Sequence, residues 1–447
     1  MPRRLRLLWV VPSPPCRGVT AARERWWALL ERLARRHEVT LLTLLEPDER
    51  LTPSTLPPGL AAVRTVARPP YVPDDPLGLL PRMVRWGSFA DPRLRVAVGE
   101  AIAAGPFDVV QFEWSELAEL MPSPPALPTV LTIHQLGFAF ALDEWRAAGA
   151  GTAAAPTALL RHLRELDYEM RAVTRAHRVI TLSTEDAARL HRFAPAIPVS
   201  VSPLGVDCTH FAPGVVPAAP PCDVLFVGHF RHLANLDSAR FLVEQVRPRL
   251  GTALRMRLVG HAAPPDLLAL ARHADVEVVQ SAPDVRPHLA AARVVVAPVR
   301  FGTGMHGKVL EALAMARPVV ATALAVEGLA ATPGRDFALA HDADAIAQAV
   351  RGLLDDPARG EALGRGGRAL VETRFDWDPI ADEHERIYEA VLRDPPPRSE
   401  PIPAPHATLA RMAAGLGRWP RLALGAAIVA RRGLGRYVAQ RGSDAHP

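Results

Sequence analysis

Short apolar runs of strand type alternate with helical patterns along most of the chain, and this alternation restricts the fold more than any other feature. Between 21 and 36, Trp26, Leu29, Leu30 and Leu33 recur at the spacing of one helix face. Such alternation is typical of parallel sheets covered by helices. We therefore expect an α/β fold. The apolar runs lie at 5–11, 38–45, 108–113, 129–134, 179–183, 200–206, 222–228, 254–260, 276–280, 293–299 and 318–322.

A proline-rich joint at 213–222 divides these runs into two successive sets. With 447 residues the chain is too long for one ordinary core. We predict two doubly wound, Rossmann-like domains facing a cleft, with ligand at the carboxyl ends of their strands. The predicted parts are a first domain at 1–212, a second domain at 222–376, a crossing helix at 377–393, and a proline-rich spacer with a basic apolar tail at 394–447.

Composition excludes several function classes. The formal net charge is only +5, and no Lys/Arg run is present, so we expect no nucleic-acid partner. Cys16, Cys208 and Cys222 are widely spaced, which predicts a reducing compartment without disulfides. The sequence contains no stretch of about twenty apolar residues, so we expect no membrane-spanning helix. The prediction is a cytoplasmic protein.

The tail at 408–441 is apolar with scattered arginines. As a helix it is suited to lie on an anionic membrane surface or to dock on the enzyme itself, and a disordered tail is the third alternative. A peripheral contact with the inner face of the membrane is therefore one expectation.

The segment at 297–322 carries the clearest chemistry. Gly302 and Gly304 permit a tight turn after a buried strand, and the helix that follows directs its positive end toward the same place, as phosphate sites require. Lys308, which is the only lysine in the chain, lies in the first turn, and Glu311 follows one turn later. The alternative is an ordinary Lys308–Glu311 surface pair.

The order of segments from about 5 to 392 resembles the retaining glycosyltransferases of the GT-B fold, in the family 4 group that includes many bacterial surface-polysaccharide enzymes. The segment GTGMHGKVLEALAMARPVVAT at 302–322 is similar to that family's donor-site pattern. The resemblance implies that Lys308 stabilises the donor diphosphate and Glu311 holds the ribose. It also implies donor contacts from Gly302, Thr303, Gly304 and Met305. Thr303 replaces a glutamate common in the family, which leaves the donor sugar open.

The segment at 226–246 resembles the strand, loop and helix that begin the family's donor domain. The resemblance implies donor contacts from Gly228 and Asn235. It implies an arginine against the diphosphate, for which Arg231 is our candidate. Which residue of the 229–232 loop makes that contact is left open.

In the first half, the resemblance places Gly18 in a flexible turn at the cleft, with Arg23 orienting the loop. His134, which ends a buried strand, is expected against the donor sugar. Glu113 ends the neighbouring strand and is expected to face the same cleft and bind hydroxyl groups. The segment at 375–388 resembles a helix that crosses back to the first domain.

The resulting prediction is transfer of a sugar from a nucleoside-diphosphate sugar to a glycan, lipid-linked or small-molecule hydroxyl acceptor, with retention. No cofactor and no metal are expected, because the DAD and DWD strings at 342–344 and 376–378 look like helix caps. The alternatives are a nucleotide-sugar 2-epimerase, or a non-catalytic nucleotide-sugar-binding protein.

Overall fold

The computed structural model describes residues 3–18, 20–46, 49–68, 91–122, 127–148, 155–251 and 253–393. The predicted tail at 394–447 lies outside these residues. Within them, no helix is long and apolar enough to cross a membrane.

The first sheet has seven described strands, all paired in parallel, in the order β3–β2–β1–β4–β5–β6–β7. Its strands are β1 Arg6–Val11, β2 Glu38–Leu45, β3 Ala62–Ala67, β4 Val109–Glu113, β5 Thr129–Ile133, β6 Arg178–Thr181 and β7 Val199–Val201. The helices of this half are α1 Ala21–Arg36, α2 Pro92–Ala104, α3 Gly137–Ala148, α4 Ala155–Val173 and α5 Thr184–His191.

The second sheet has six described strands, also parallel, in the order β10–β9–β8–β11–β12–β13. Its strands are β8 Cys222–His229, β9 Met256–His261, β10 Glu277–Gln280, β11 Ala292–Ala297, β12 Val319–Ala321 and β13 Ala338–Leu339. Its helices are α6 Leu233–Phe241, α7 Arg247–Leu250, α8 Pro265–His273, α9 Arg286–Ala291, α10 Gly307–Ala314, α11 Ala343–Asp355 and α12 Pro357–Arg374. A π-helical turn, Leu242–Val246, joins α6 to α7.

The predicted α/β fold with two doubly wound domains is confirmed. Strand β1 shows why the apolar runs are continuous: Leu7, Trp9 and Val11 pack into one core, and Leu8 and Val10 into another on the opposite face. A strand covered by helices on both faces has no solvent-exposed face, so it lacks the alternation of apolar and polar residues. The joint at 213–222 follows β7 and leads into β8, so it lies between the two sheets.

The last described helix, α13 Trp377–Arg393, packs against the first domain. Arg32 on α1 contacts Asp378, and Nη1 of Arg36 lies 2.6 Å from Oδ1 of Asp382. Deeper in the core, Nε1 of Trp9 donates to Oη of Tyr388 at 2.9 Å. The end of the described chain is thus part of the core around β1.

Both sheets reverse their strand order next to the first strand of the domain, between β1 and β4 and between β8 and β11. In open parallel sheets, ligands bind in the crevice at such a reversal, outside the carboxyl ends of the strands. The loops that follow β1, β8 and β11 carry Gly18, Arg231 and the predicted donor-binding residues at 302–305.

Candidate active site

His134 and Glu113 meet at the carboxyl ends of β5 and β4. Nε2 of His134 lies 2.6 Å from Oε2 of Glu113, and both side chains are buried. The prediction that Glu113 faces the cleft is wrong, because its side chain is fully enclosed and its carboxylate points at His134. Glu113 can therefore act on a substrate only through its neighbour.

Other donors complete the surroundings of the Glu113 carboxylate. Oε1 accepts from Nε2 of Gln111 at 3.0 Å, Oε2 accepts from Nε1 of Trp26 at 3.0 Å, and Nη1 of Arg25 lies 3.7 Å away. Burial alone would raise the pKa of Glu113, but the His134 hydrogen bond and the Arg25 charge lower it to about 2. Glu113 is thus an ionised, fully buried carboxylate.

This carboxylate selects the tautomer of His134. Burial lowers the pKa of His134 despite the opposing attraction of Glu113, so the imidazole is neutral near pH 7. Because an ionised carboxylate only accepts hydrogen bonds, we assign the ring proton to Nε2. Nδ1 then carries a free lone pair, and it has no hydrogen-bond partner among the described residues.

Side chains from α13 extend this buried network. Oη of Tyr388 donates to Oε1 of Gln111 at 3.3 Å. Nη2 of Arg25 donates to Oγ of Ser202 at 2.9 Å, and the same hydroxyl lies 2.9 Å from Nδ1 of His384. No pattern in the sequence predicts these contacts, since an arginine inside an amphipathic helix ordinarily points to solvent.

The glycine loop after β11 reaches across the cleft to His134. Gly302 has φ 116° and Gly304 has φ 86°, in the region that favours glycine. A Cβ on Gly304 would lie 3.1 Å from the carbonyl oxygen of His134. A side chain at position 304 would crowd this approach of the loop to the first domain and would also be strained at φ 86°.

Two residues predicted to bind the donor are engaged in contacts between the domains. Oγ1 of Thr303 donates to the carbonyl oxygen of Leu136 at 3.3 Å, and the Thr303 carbonyl accepts from Nε2 of Gln135 at 3.1 Å. Sδ of Met305 accepts from the Leu204 amide at 3.3 Å. These contacts join the glycine loop to the first domain.

Lys308 and Asn235 face each other across the strand-order reversal of the second sheet. Nζ of Lys308 donates to Oδ1 of Asn235 and lies 4.6 Å from the ring centre of Phe226. Nδ2 of Asn235 donates to the His229 carbonyl at 3.1 Å. Gly228 permits this approach, because a Cβ there would lie 3.2 Å from Cβ of Asn235.

Partial burial changes the protonation of the Lys308 amine. It lowers the pKa of Lys308 to about 7, against the attraction of Glu311. Among the described residues no ion pair joins Lys308 to Glu311, and both side chains are half-buried, so the alternative of an ordinary surface pair is wrong. A half-buried ammonium at the beginning of α10 is suited to meet an anion.

Glu311 faces a carboxylate that the sequence analysis missed. Burial, with the nearby charge of Glu24, raises the pKa of Glu311 to about 7. Glu24 lies in the first turn of α1, and its Oε2 accepts from the Gly18 amide at 2.8 Å. Gly18 has φ 73°, and the turn containing it is held against α1.

Arg23 fixes the same loop, as predicted. Its Nε donates to the Pro14 carbonyl at 2.6 Å, and its Nη2 lies 2.7 Å from Oε1 of Glu49. The first loop of the chain is thereby held over the beginning of α1, opposite α10.

In the 229–232 loop, the side chains of His229, Arg231 and His232 are exposed, whereas that of Phe230 is buried. Arg231 makes a backbone contact with Nδ1 of His229 at 3.3 Å, while no described residue accepts from its guanidinium. His306, which sequence reasoning also missed, precedes α10, and its enclosed Nε2 has no partner among the described residues. Burial, with Lys308, lowers the pKa of His306 to about 3, so this imidazole is neutral.

The predicted helix caps are present at both D-x-D strings. Oδ1 of Asp342 accepts from the Ala345 amide at 2.8 Å, and Oδ1 of Asp376 accepts from the Asp378 amide at 3.3 Å. Across the part of the chain that the structure describes, no three His, Cys, Asp or Glu side chains are grouped like metal ligands.

Both halves of the chain match known families. The model of Glycosyltransferase Family 4 matches residues 24–210, and that of Glycosyl transferases group 1 matches residues 221–356. The chain is a glycosyltransferase of the GT-B type. A comparison with curated protein sequences finds no match.

Solved structures share the fold of the glycosyltransferase at low sequence identity. Sucrose-phosphate synthase from Thermosynechococcus elongatus is 20% identical, with a TM-score of 0.68, over 87% of this chain and 99% of that one. HepE from Anabaena, in complex with UDP and glucose, is 13% identical, with a TM-score of 0.63, over 87% and 100%. A trehalose-6-phosphate structure from E. coli, bound with UDP-2-fluoro glucose, is 12% identical, with a TM-score of 0.62, over 88% and 100%.

Proposed function

We propose that this glycosyltransferase moves a sugar from a nucleoside-diphosphate sugar to a hydroxyl acceptor, with retention of the anomeric configuration. The observation that carries the proposal is the approach of the glycine loop to His134. Gly304 comes so close to the His134 carbonyl that a Cβ would lie 3.1 Å from it. A donor whose diphosphate lies at the beginning of α10 then has its sugar beside His134.

The diphosphate is bound by electrostatics. The glycine loop and the first turn of α10 present backbone N–H groups, and Lys308 adds a positive charge beside them. Asn235 holds the ammonium in place through its amide oxygen. Arg231 is free to move toward the same anion, because no described residue holds its guanidinium. Developing charge on the leaving diphosphate is thereby stabilised without a metal.

His134 positions the donor sugar through its backbone carbonyl and its neutral imidazole, and Glu311 binds the ribose. We propose that no protein base takes the acceptor's proton. Glu113 is excluded from that role because its carboxylate is fully buried and is already contacted by four neighbouring side chains. The leaving phosphate oxygen accepts the proton instead, on the face from which the acceptor attacks.

UDP is the nucleotide we propose first, because the similar HepE and E. coli structures contain UDP or a UDP sugar. For the acceptor we propose a hydroxyl in surface polysaccharide or glycoconjugate synthesis, in the cytoplasm. A lipid-linked acceptor agrees with a peripheral membrane contact through 408–441. Flotation of the full chain and of 1–393 with anionic vesicles tests that contact, and equal flotation contradicts it.

Isothermal titration with UDP and GDP tests the donor site. We expect one of them to bind with micromolar affinity. No binding of either contradicts the proposal. With the bound nucleotide identified, a panel of its sugars is assayed for slow hydrolysis, and NMR of the first-formed sugar shows its anomer. Retention gives the donor's own anomer. The opposite anomer contradicts retention, C2 epimerisation identifies a 2-epimerase, and no turnover identifies a binding protein.

A further inference from the structure

Trp114 has a backbone conformation that a side chain rarely adopts. It follows β4 directly, with φ 93° and ψ 140°. Glycine adopts such angles freely, whereas other residues are strained in them. Strained residues of this kind persist where the surroundings fix them, and they cluster at functional sites.

Three contacts fix Trp114. Its amide donates to the Thr132 carbonyl at 2.9 Å, and its carbonyl accepts from the Leu117 amide at 3.2 Å. Its indole stacks on the His134 imidazole, with ring centres 5.1 Å apart and an angle of 11° between the planes. A glycine would keep both backbone contacts without strain. A tryptophan at this strained position therefore contributes one thing that a glycine would not, which is the indole beside His134.

The indole is only half-buried, and its Nε1 has no hydrogen-bond partner among the described residues. The N–H groups of Trp9 and Trp26 are bonded within the core, and those of Trp27 and Trp377 are enclosed without a partner, so the Trp114 N–H differs from all four in being unpaired and not enclosed. Aromatic rings with one apolar surface and one free N–H are suited to bind a partner that is itself apolar on one face and polar at its edge. The ring of a sugar has that character, since its C–H groups form a face and its hydroxyls an edge.

The position of Trp114 separates it from the donor phosphates. The second domain approaches His134 through Gly304 and Gln135 through Thr303, which is the side of β5. Trp114 stands on the side of β4, next to the strand-order reversal of the first sheet. A sugar bound on this indole would therefore approach His134 from the β4 side, away from the glycine loop.

We infer that Trp114 binds the acceptor, and that the acceptor presents a pyranose ring whose C–H face packs on the indole while a hydroxyl accepts from Nε1. This inference rests on the proposed function. It names the substrate class on the acceptor side, where the donor chemistry alone says only that a hydroxyl is needed.

Saturation-transfer NMR on the full chain with saturating UDP tests this inference. The probes are the methyl glycosides of glucose, galactose, mannose and N-acetylglucosamine, with glycerol as a hydroxyl compound that lacks a ring. We expect saturation of the ring C–H protons of at least one glycoside and none of glycerol. Trp114→Leu should reduce that signal at least fivefold, and Trp114→Phe should keep part of it.

Trp145→Phe is the matched control, because Trp145 is also half-buried and packed against a hydrophobic core, as Trp114 is, but only Trp114 of the two stacks on His134. An unchanged signal in Trp114→Leu, an equal loss in Trp145→Phe, or no signal from any glycoside with wild-type protein overturns the inference. Failure of wild-type protein to bind either UDP or GDP is a separate result, which removes the proposed function itself. If UDP binds but no glycoside does, only the inference of a sugar acceptor is overturned.

Discussion

Nε2 of His134 and Oε2 of Glu113 lie 2.6 Å apart in the core of the first domain, at the ends of two neighbouring strands. The pair places an ionised carboxylate behind the imidazole that borders the cleft, and it leaves Nδ1 of that imidazole unpaired. His134 is therefore positioned by a residue that no substrate reaches.

Glu113→Gln should lower kcat roughly 10²-fold or more while changing the affinity for UDP little, because a neutral amide no longer selects the Nε2–H tautomer. Donor hydrolysis and UDP titration measure the two effects separately. Glu116→Gln is the control: Glu116 is a buried carboxylate three residues later that does not contact His134. Equal loss of kcat in both variants would contradict the assignment.

Lys308 should take up a proton when a diphosphate binds. Its pKa is lowered to about 7, so at pH 8 the free protein carries mostly the neutral amine, and the anion favours the charged form. Titration of UDP in buffers of different ionisation enthalpy should show uptake of ~0.5–1 proton at pH 8. Lys308→Arg, which is always charged, should show none.

The same lysine should distinguish the diphosphate from the nucleoside. Lys308→Ala should weaken the binding of UDP by about 1.5–3 kcal/mol, the usual contribution of a hydrogen bond to a charged group. The affinity for uridine should not change. Competition titrations compare the two ligands. An equal loss for UDP and uridine would mean that Lys308 only supports the fold.

Gly304→Ala should disturb the approach of the domains. The new Cβ would lie 3.1 Å from the His134 carbonyl at φ 86°. Gly214→Ala is the matched control, with φ 78° and nothing within 4 Å of its new Cβ. Both changes introduce backbone strain of about 1–3 kcal/mol, but only Gly304→Ala should also weaken UDP-sugar turnover. Thermal unfolding and donor hydrolysis separate strain from the contact.

Arg25→Met should destabilise the first domain, because it leaves the Glu113 charge buried without its counter-ion. Removing one partner of a buried ion pair costs about 3–5 kcal/mol. Urea unfolding measures the loss. The double variant Arg25→Met/Glu113→Gln should recover part of it, since no charge is then left unpaired, and purely additive losses would contradict the coupling.

The sequence was sufficient for the fold because stretches such as 7–11 and 294–299 are buried on both faces and contain no polar residues. It was insufficient for β3, whose residues are mostly exposed, and for the two-residue β13, because neither strand lies in one of the apolar runs that predict the others. The proposed phosphate site at α10 and Lys308 could be predicted from the sequence, because a glycine loop before a helix is a local signal.

The contacts of Glu113, by contrast, are not local. They come from Arg25 and Gln111 in the first hundred or so residues and, through Gln111, from Tyr388 near the other end. A residue at the end of a strand looks as if it faces the cleft until the helices around it are placed. Which strand-end side chains are open and which are enclosed depends on packing between distant segments, and no short pattern records that.

The return of α13 to the first domain also affects how the protein is made. Chains leave the ribosome from the amino end, and domains generally fold as they emerge. Here Tyr388 and His384, which complete the buried hydrogen bonds around Gln111 and Ser202, are synthesised after the whole second domain. A ribosome-bound chain that ends near 212 therefore exposes the apolar face of β1 and α1. We expect such nascent chains to depend on chaperones until the final helix has emerged.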